Sequence, residues 1–170
     1  TQFWNDILTE DTVIGIKVTT FSEASTSSGI VLAKAGPYSE NNLKGGGNLY
    51  INIQANANSW VDVMKHEIGH IMGIGLNSYW NNSVLSDNLL DGSKFPISLQ
   101  EYKDSYNGDP TATNIPLGPG NGHFSEDIFD RELMTPYSNA PYDQPATRLT
   151  LGALSDMGWG IDMTKSENAN

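Results

Sequence analysis

The run His66-Glu67-Ile68-Gly69-His70 holds the residue types best suited to chemistry in this 170-residue chain. On a helix, residues four apart differ by about 40° around the axis, so His66 and His70 project from one face, one turn apart. Two imidazoles so arranged make a two-point grip on a metal ion. Zinc takes imidazole nitrogen at about 2.0–2.1 Å, and a catalytic zinc site uses three protein ligands with one position left open. Glu67 sits beside the first ligand without being needed as one. Its carboxylate can accept a proton from a water that attacks a carbonyl polarised by the metal. The pattern has this meaning only on a helix, so the elements around it decide its weight.

Trp60, Val61, Met64, Ile68, Ile71 and Met72 recur at three- and four-residue spacing, which predicts an amphipathic helix carrying both histidines. Asn58 or Ser59 can cap its start, and Gly73 or Gly75 can end it. Just upstream, Leu49, Ile51 and Ile53 alternate with Tyr50, Asn52 and Gln54, the period of a half-buried strand over residues 48–54. Farther back, residues 3–8 read as the end of a helix. Residues 12–18 read as a strand with Ile14, Ile16 and Val18 on one face, residues 22–29 as a Ser/Thr-rich loop, and residues 30–33 as an apolar strand broken at Gly36-Pro37. Residues 74–122 show little periodicity and many Asn, Ser, Asp, Gly and Pro, which predicts a long irregular insertion. Such a stretch is usually functional when a compact domain keeps it. Leu149, Leu151, Leu154 and Met157 predict a short closing helix over residues 147–157, stopped by Gly158.

A third ligand is still needed. The chain has three histidines and two occupy the motif, so His123, in Gly122-His123-Phe124-Ser125-Glu126, is the candidate. Glu126 is a rival, because Glu126-x-x-x-Asp130 has the carboxylate spacing of the gluzincin group, in which a Glu ligates. Asp87, Asp91 and Asp104 lack the regular loop spacing of a calcium site.

The commonest metzincin pattern places its third His three residues after the glycine found here at position 73, but position 76 is Leu76. A His displaced downstream by an insertion and followed by Glu132-Leu133-Met134-Thr135-Pro136 resembles instead leishmanolysin and its bacterial relatives. The run from His66 to Gly75 is similar to that family's active-site helix and glycine turn. Leu151-Gly152-Ala153-Leu154-Ser155-Asp156-Met157-Gly158-Trp159 is similar to its closing helix, and Leu32-Ala33-Lys34-Ala35-Gly36-Pro37 matches more loosely. By that resemblance His123 is the third ligand of a Zn2+ ion, and Met134 is the Met-turn residue beneath it. The resemblance implies an α+β, metzincin-like zincin fold in a single catalytic domain, truncated at its N-terminus where the family has a strand and a full helix ahead of Trp4. Residues 1–75 would hold a twisted mixed sheet with the active-site helix behind it. Residues 76–170 would form a small irregular C-terminal part with the third ligand, the Met-turn and the closing helix. It further implies a zinc endopeptidase acting on a protein or peptide substrate, which pairs with an edge strand at residues 30–33, in an extracellular or cell-surface setting. The alternative is a protease-like domain kept as a binding or structural module; Glu67 and the open fourth position favour the enzyme.

Composition narrows the partners. Twenty acidic residues against nine basic ones leave a formal charge of −11, which disfavours a nucleic-acid or anionic-membrane surface. Cysteine is absent, so the core must stabilise the fold without disulfides or thiolate metal sites. No apolar run is long enough for membrane insertion.

Overall fold

In the computed structural model, which describes residues 2–27, 29–57, 59–86, 88–106, 108–138 and 143–167, the chain is mixed α+β with two small sheets and six α-helices. The alternation around Leu49 produces strand β3, Gly47–Asn52, the centre of the first sheet. Strand β1, Ile16–Phe21, runs parallel to it with Ile16 opposite Gly47. Strand β2, Ala33–Pro37, runs antiparallel on the other side with Ala33 opposite Ile51. Leu49 is buried and its neighbour Tyr50 exposed, as the two-residue period requires. Buried Asn52 ends β3; its side-chain amide donates to the carbonyls of Glu23 and Val31, and its oxygen accepts from the amides of Glu23 and Gln54.

Helix α1, Gln2–Ile7, precedes the sheet, and helix α2, Trp60–Ile71, packs on it through a cluster of Ala33, Leu49, Val63 and Ile71. Ser59 caps α2 by accepting from the Asp62 amide; Asn58, the other candidate, lies outside the described residues. Val61 is 67% exposed, so the apolar stripe is narrower than its spacing predicts.

Strand boundaries differ from the sequence reading. Residues 12–15 lie outside any strand and β1 starts at Ile16, with Val18 largely exposed on this edge strand. Of residues 30–33 only Ala33 lies in a strand, and β2 continues through Gly36 to Pro37. A proline is tolerated there because it ends an edge strand and so removes no interior ladder bond. β3 stops at Asn52, leaving Ile53 exposed in the following turn.

The expected irregular insertion is instead built of short elements. Helix α3 (Ser78–Asn81), strands β4 (Val84–Leu85) and β5 (Leu89–Asp91), helix α4 (Pro96–Ser105) and strand β6 (Asn114–Pro116) follow in order, and β4-β5-β6 form an antiparallel sheet. Two- and three-residue strands are too short to show a period. Trp80, Leu90, Phe95 and Ile115 are fully buried and join one core with Ile68 and Met72 of α2. Helix α5 (Glu126–Phe129) precedes the turn at 132–134, and helix α6 (Arg148–Asp156) closes the chain, capped by Thr147 and stopped at Gly158 with φ 97°. Asp156 at the end of α6 accepts from the amides of Ile97 and Ser98, capping α4. No described helix is long and apolar enough to cross a membrane.

Candidate metal centre

The end of α2 is set by glycine. Gly73 adopts φ 116°, and its amide bonds to the His70 carbonyl while the Ile74 amide reaches back to Gly69, the paired bonds of a Schellman ending. This turn carries the Ile74 carbonyl back over the helix to 2.8 Å from His70 Nδ1. Gly75 follows at φ 78°, and a Cβ there would run into the backbone of Gly122. The close approach brings the segment holding His123 against the end of α2.

His123 is held by its own backbone. Its carbonyl accepts from Gly118, Leu117 bridges Phe124, and the Phe124 amide donates to the Met134 carbonyl at 3.0 Å. Phe124 is fully buried and anchors this crossing. The same turn at 132–134 presents the Leu133 carbonyl to His66 Nδ1 at 2.6 Å. Met134 packs into the space left by Gly69, where a Cβ would lie 2.6 Å from its sulfur.

Three imidazoles converge as a result. The Nε2 atoms of His66 and His70 are 3.0 Å apart, those of His70 and His123 3.1 Å, and those of His66 and His123 3.2 Å. A carbonyl can only accept, so His66 and His70 each carry their proton on Nδ1 and turn an Nε2 lone pair toward the common point. Two facing lone pairs repel at that distance, and a cation between them removes the repulsion. Two nitrogens on a tetrahedral zinc bonded at about 2.0–2.1 Å are about 3.3 Å apart, so the donor set fits that ion. Among the described residues, this is the group of three that could hold a metal ion.

The electrostatics keep the rings neutral, the form that ligates. Burial holds His66 below its ordinary range, opposed by the Leu133 carbonyl. Burial, then His66 and His123, take His70 well below its usual value, and burial with His66 beside it takes His123 down to about 4. Glu67 is 6% exposed, burial pushes its carboxyl up to about 7, and its Oε2 is buried without a hydrogen-bond partner.

No family model matches the sequence, and no curated protein matches it. His66, His70 and His123 are together, with Glu67 next in α2 and Met134 against Gly69; the rival Glu126 is not in the group. Asp91 accepts from Ser93 and Asp104 from Gln100, while Asp87 lies outside the described residues. Sequence reasoning missed the carbonyls of Leu133 and Ile74, which fix two of the rings, because every residue has a carbonyl. It also gave no role to Glu132. The Glu132-Leu133-Met134 run contains that residue, but nothing in its spacing shows that the carboxyl group is fully buried.

Proposed function

We propose that this chain is a zinc endopeptidase of the metzincin type, built like leishmanolysin and its bacterial relatives. The observation that carries the reading is the convergence of three Nε2 atoms within 3.0–3.2 Å, two of them from H-E-x-x-H on one helix, beside a buried glutamate with an unpartnered oxygen. A structural site would need neither that glutamate nor an open fourth position. Met134 under Gly69 fits the role of a Met-turn residue, holding the floor of the centre against α2.

Zinc, when bound by His66, His70 and His123, supplies a Lewis acid that polarises the scissile carbonyl. Glu67 takes a proton from the attacking water as its oxygen bonds to the carbonyl carbon. It then gives that proton to the amine nitrogen as the C–N bond breaks. Burial raises the Glu67 carboxyl above its ordinary range, which makes the carboxylate a stronger base than an exposed one. The substrate is a protein or peptide in extended form, laid along the free edge of β2, where backbone groups can pair with it. An extracellular or cell-surface setting goes with this class.

The test is hydrolysis of unfolded casein by the protein with and without a zinc chelator, beside Glu67→Ala. Cleavage should be lost on chelation, regained with zinc, and absent in Glu67→Ala that retains its metal. No cleavage by folded, zinc-loaded wild type would leave the chain a binding module.

A further inference from the structure

Glu132 is fully buried, yet it lies outside the machinery described so far. Its Oε2 accepts from the Met134 amide at 2.6 Å, and its Oε1 accepts from the hydroxyls of Thr150 at 2.5 Å and Thr147 at 3.2 Å. These donors are all neutral. A buried carboxylate is costly to desolvate, and a neutral glutamine could accept from the same amide. A clasp between the turn and α6 gives a reason for two accepting oxygens, but not for a charge with no cation among its partners.

The reason is in the peptide that Glu132 holds. The Met134 N–H and the Leu133 carbonyl belong to one planar unit and point in opposite directions. One end donates to the Glu132 carboxylate, and the other accepts from His66 Nδ1 at 2.6 Å. A negative charge at the N–H polarises the peptide and makes its carbonyl a stronger acceptor. A stronger acceptor on Nδ1–H fixes the ring and sends electron density to Nε2, as a carboxylate does when it touches a ligating histidine directly. His70 lies against the Ile74 carbonyl at the longer distance of 2.8 Å. The hydroxyls of Thr150 in α6 and of its cap residue Thr147 occupy Oε1 and leave Oε2 aimed at the turn.

We infer that Glu132 is a positioning residue for the metal centre, acting on His66 through the Leu133–Met134 peptide. The inference rests on the reading of His66 as a zinc ligand.

The experiment compares wild type with Glu132→Gln, which keeps the shape and removes the charge, at about pH 8.5, where the carboxyl that burial pushes up to about 7 is ionised. Proton–nitrogen NMR reads the imidazole Nδ1–H of His66 and His70 in the metal-free protein, and competition with a chromophoric chelator reads zinc affinity. In Glu132→Gln the His66 proton should move upfield while the His70 proton stays in place, and zinc should bind about tenfold more weakly. An unmoved His66 proton with unchanged zinc affinity, or equal shifts at both histidines, would overturn the inference and leave Glu132 a structural clasp. If wild type takes up no zinc, the proposed function falls, and the His66 proton still decides this point. If Glu132→Gln does not fold, wild type decides: a His66 Nδ1–H that moves downfield, with His70 unmoved, as Glu132 ionises between roughly pH 6 and pH 8 supports the inference, and a His66 proton that stays in place refutes it.

Discussion

Gly69→Ala is the sharpest test of how α2 and the 132–134 turn fit together. The added Cβ would sit 2.6 Å from Met134 Sδ and 3.2 Å from its Cε. Met134 is fully buried and cannot swing into water, so it must move within the core. Adding a methyl to a filled core costs about 1–3 kcal/mol. Replacing glycine by alanine inside a helix returns about 0.8–1.0 kcal/mol. The difference is a net loss of about 1 kcal/mol, or about 2–4 °C in Tm for a domain of this size. In a Met134→Ala background the clash is gone, and the same change should stabilise by about 1 kcal/mol, a coupling of about 2 kcal/mol between the two positions. Urea unfolding of the four proteins in chelator measures it free of metal linkage. Equal stabilisation by Gly69→Ala in both backgrounds would refute the packing argument.

His123→Ala should lose zinc by metal analysis, while Glu126→Ala keeps it; loss only in the Glu126 variant would reverse the ligand assignment. Asp156→Ala removes the acceptor for the Ile97 and Ser98 amides at a helix start whose own cap residue, Phe95, offers no side-chain bond. It should destabilise by about 1–2 kcal/mol in chemical unfolding, and Asp156→Asn by less. Burial pushes the Glu132 carboxyl up to about 7, so folding of the metal-free protein takes up a proton there. That contribution is complete below the carboxyl's ordinary range and is lost as the pH rises through 7, to the extent of order 3 kcal/mol. Wild type should therefore lose stability relative to Glu132→Gln between pH 5 and pH 8, and parallel profiles for the two proteins would refute it.

The parts of this fold that were legible in the sequence are those long enough to repeat. Twelve residues of α2 and nine of α6 show their buried stripe and caps directly, and the histidine spacing has meaning because α2 is a helix. β4 and β5, with two and three residues, cannot show a period, so the insertion looked irregular although Leu90 and Ile115 pair within a sheet. At β1 and β2 the apolar residues marked the wrong ends. Edge strands are defined by which backbone they pair with, and side-chain pattern reports that only weakly. The cluster was legible in its three histidines and opaque at their supports. Leu133 and Ile74 act through carbonyls, and Gly69 acts through an absent side chain.

The 53-residue separation of His70 and His123 raises the question of why so long a connection does not weaken the centre. Closing a flexible loop costs only about 0.6 kcal/mol more for each doubling of its length. Here Trp80, Leu90, Phe95 and Ile115 anchor the connection in the same core that holds Ile68 and Met72. Its ordering is therefore offset by burial before any ion binds. What remains is orientation, and each ring is oriented by a turn locked from the other side. Gly73 fixes the turn that bonds His70, while Glu132 and α6 fix the turn that bonds His66. The Met134 carbonyl, in the same turn, holds Phe124 and with it His123. One short segment, 132–134, thus reaches His66 by a hydrogen bond, His123 through its neighbour's amide and α2 by packing at Gly69, so a displacement there moves histidines on both sides of the insertion together.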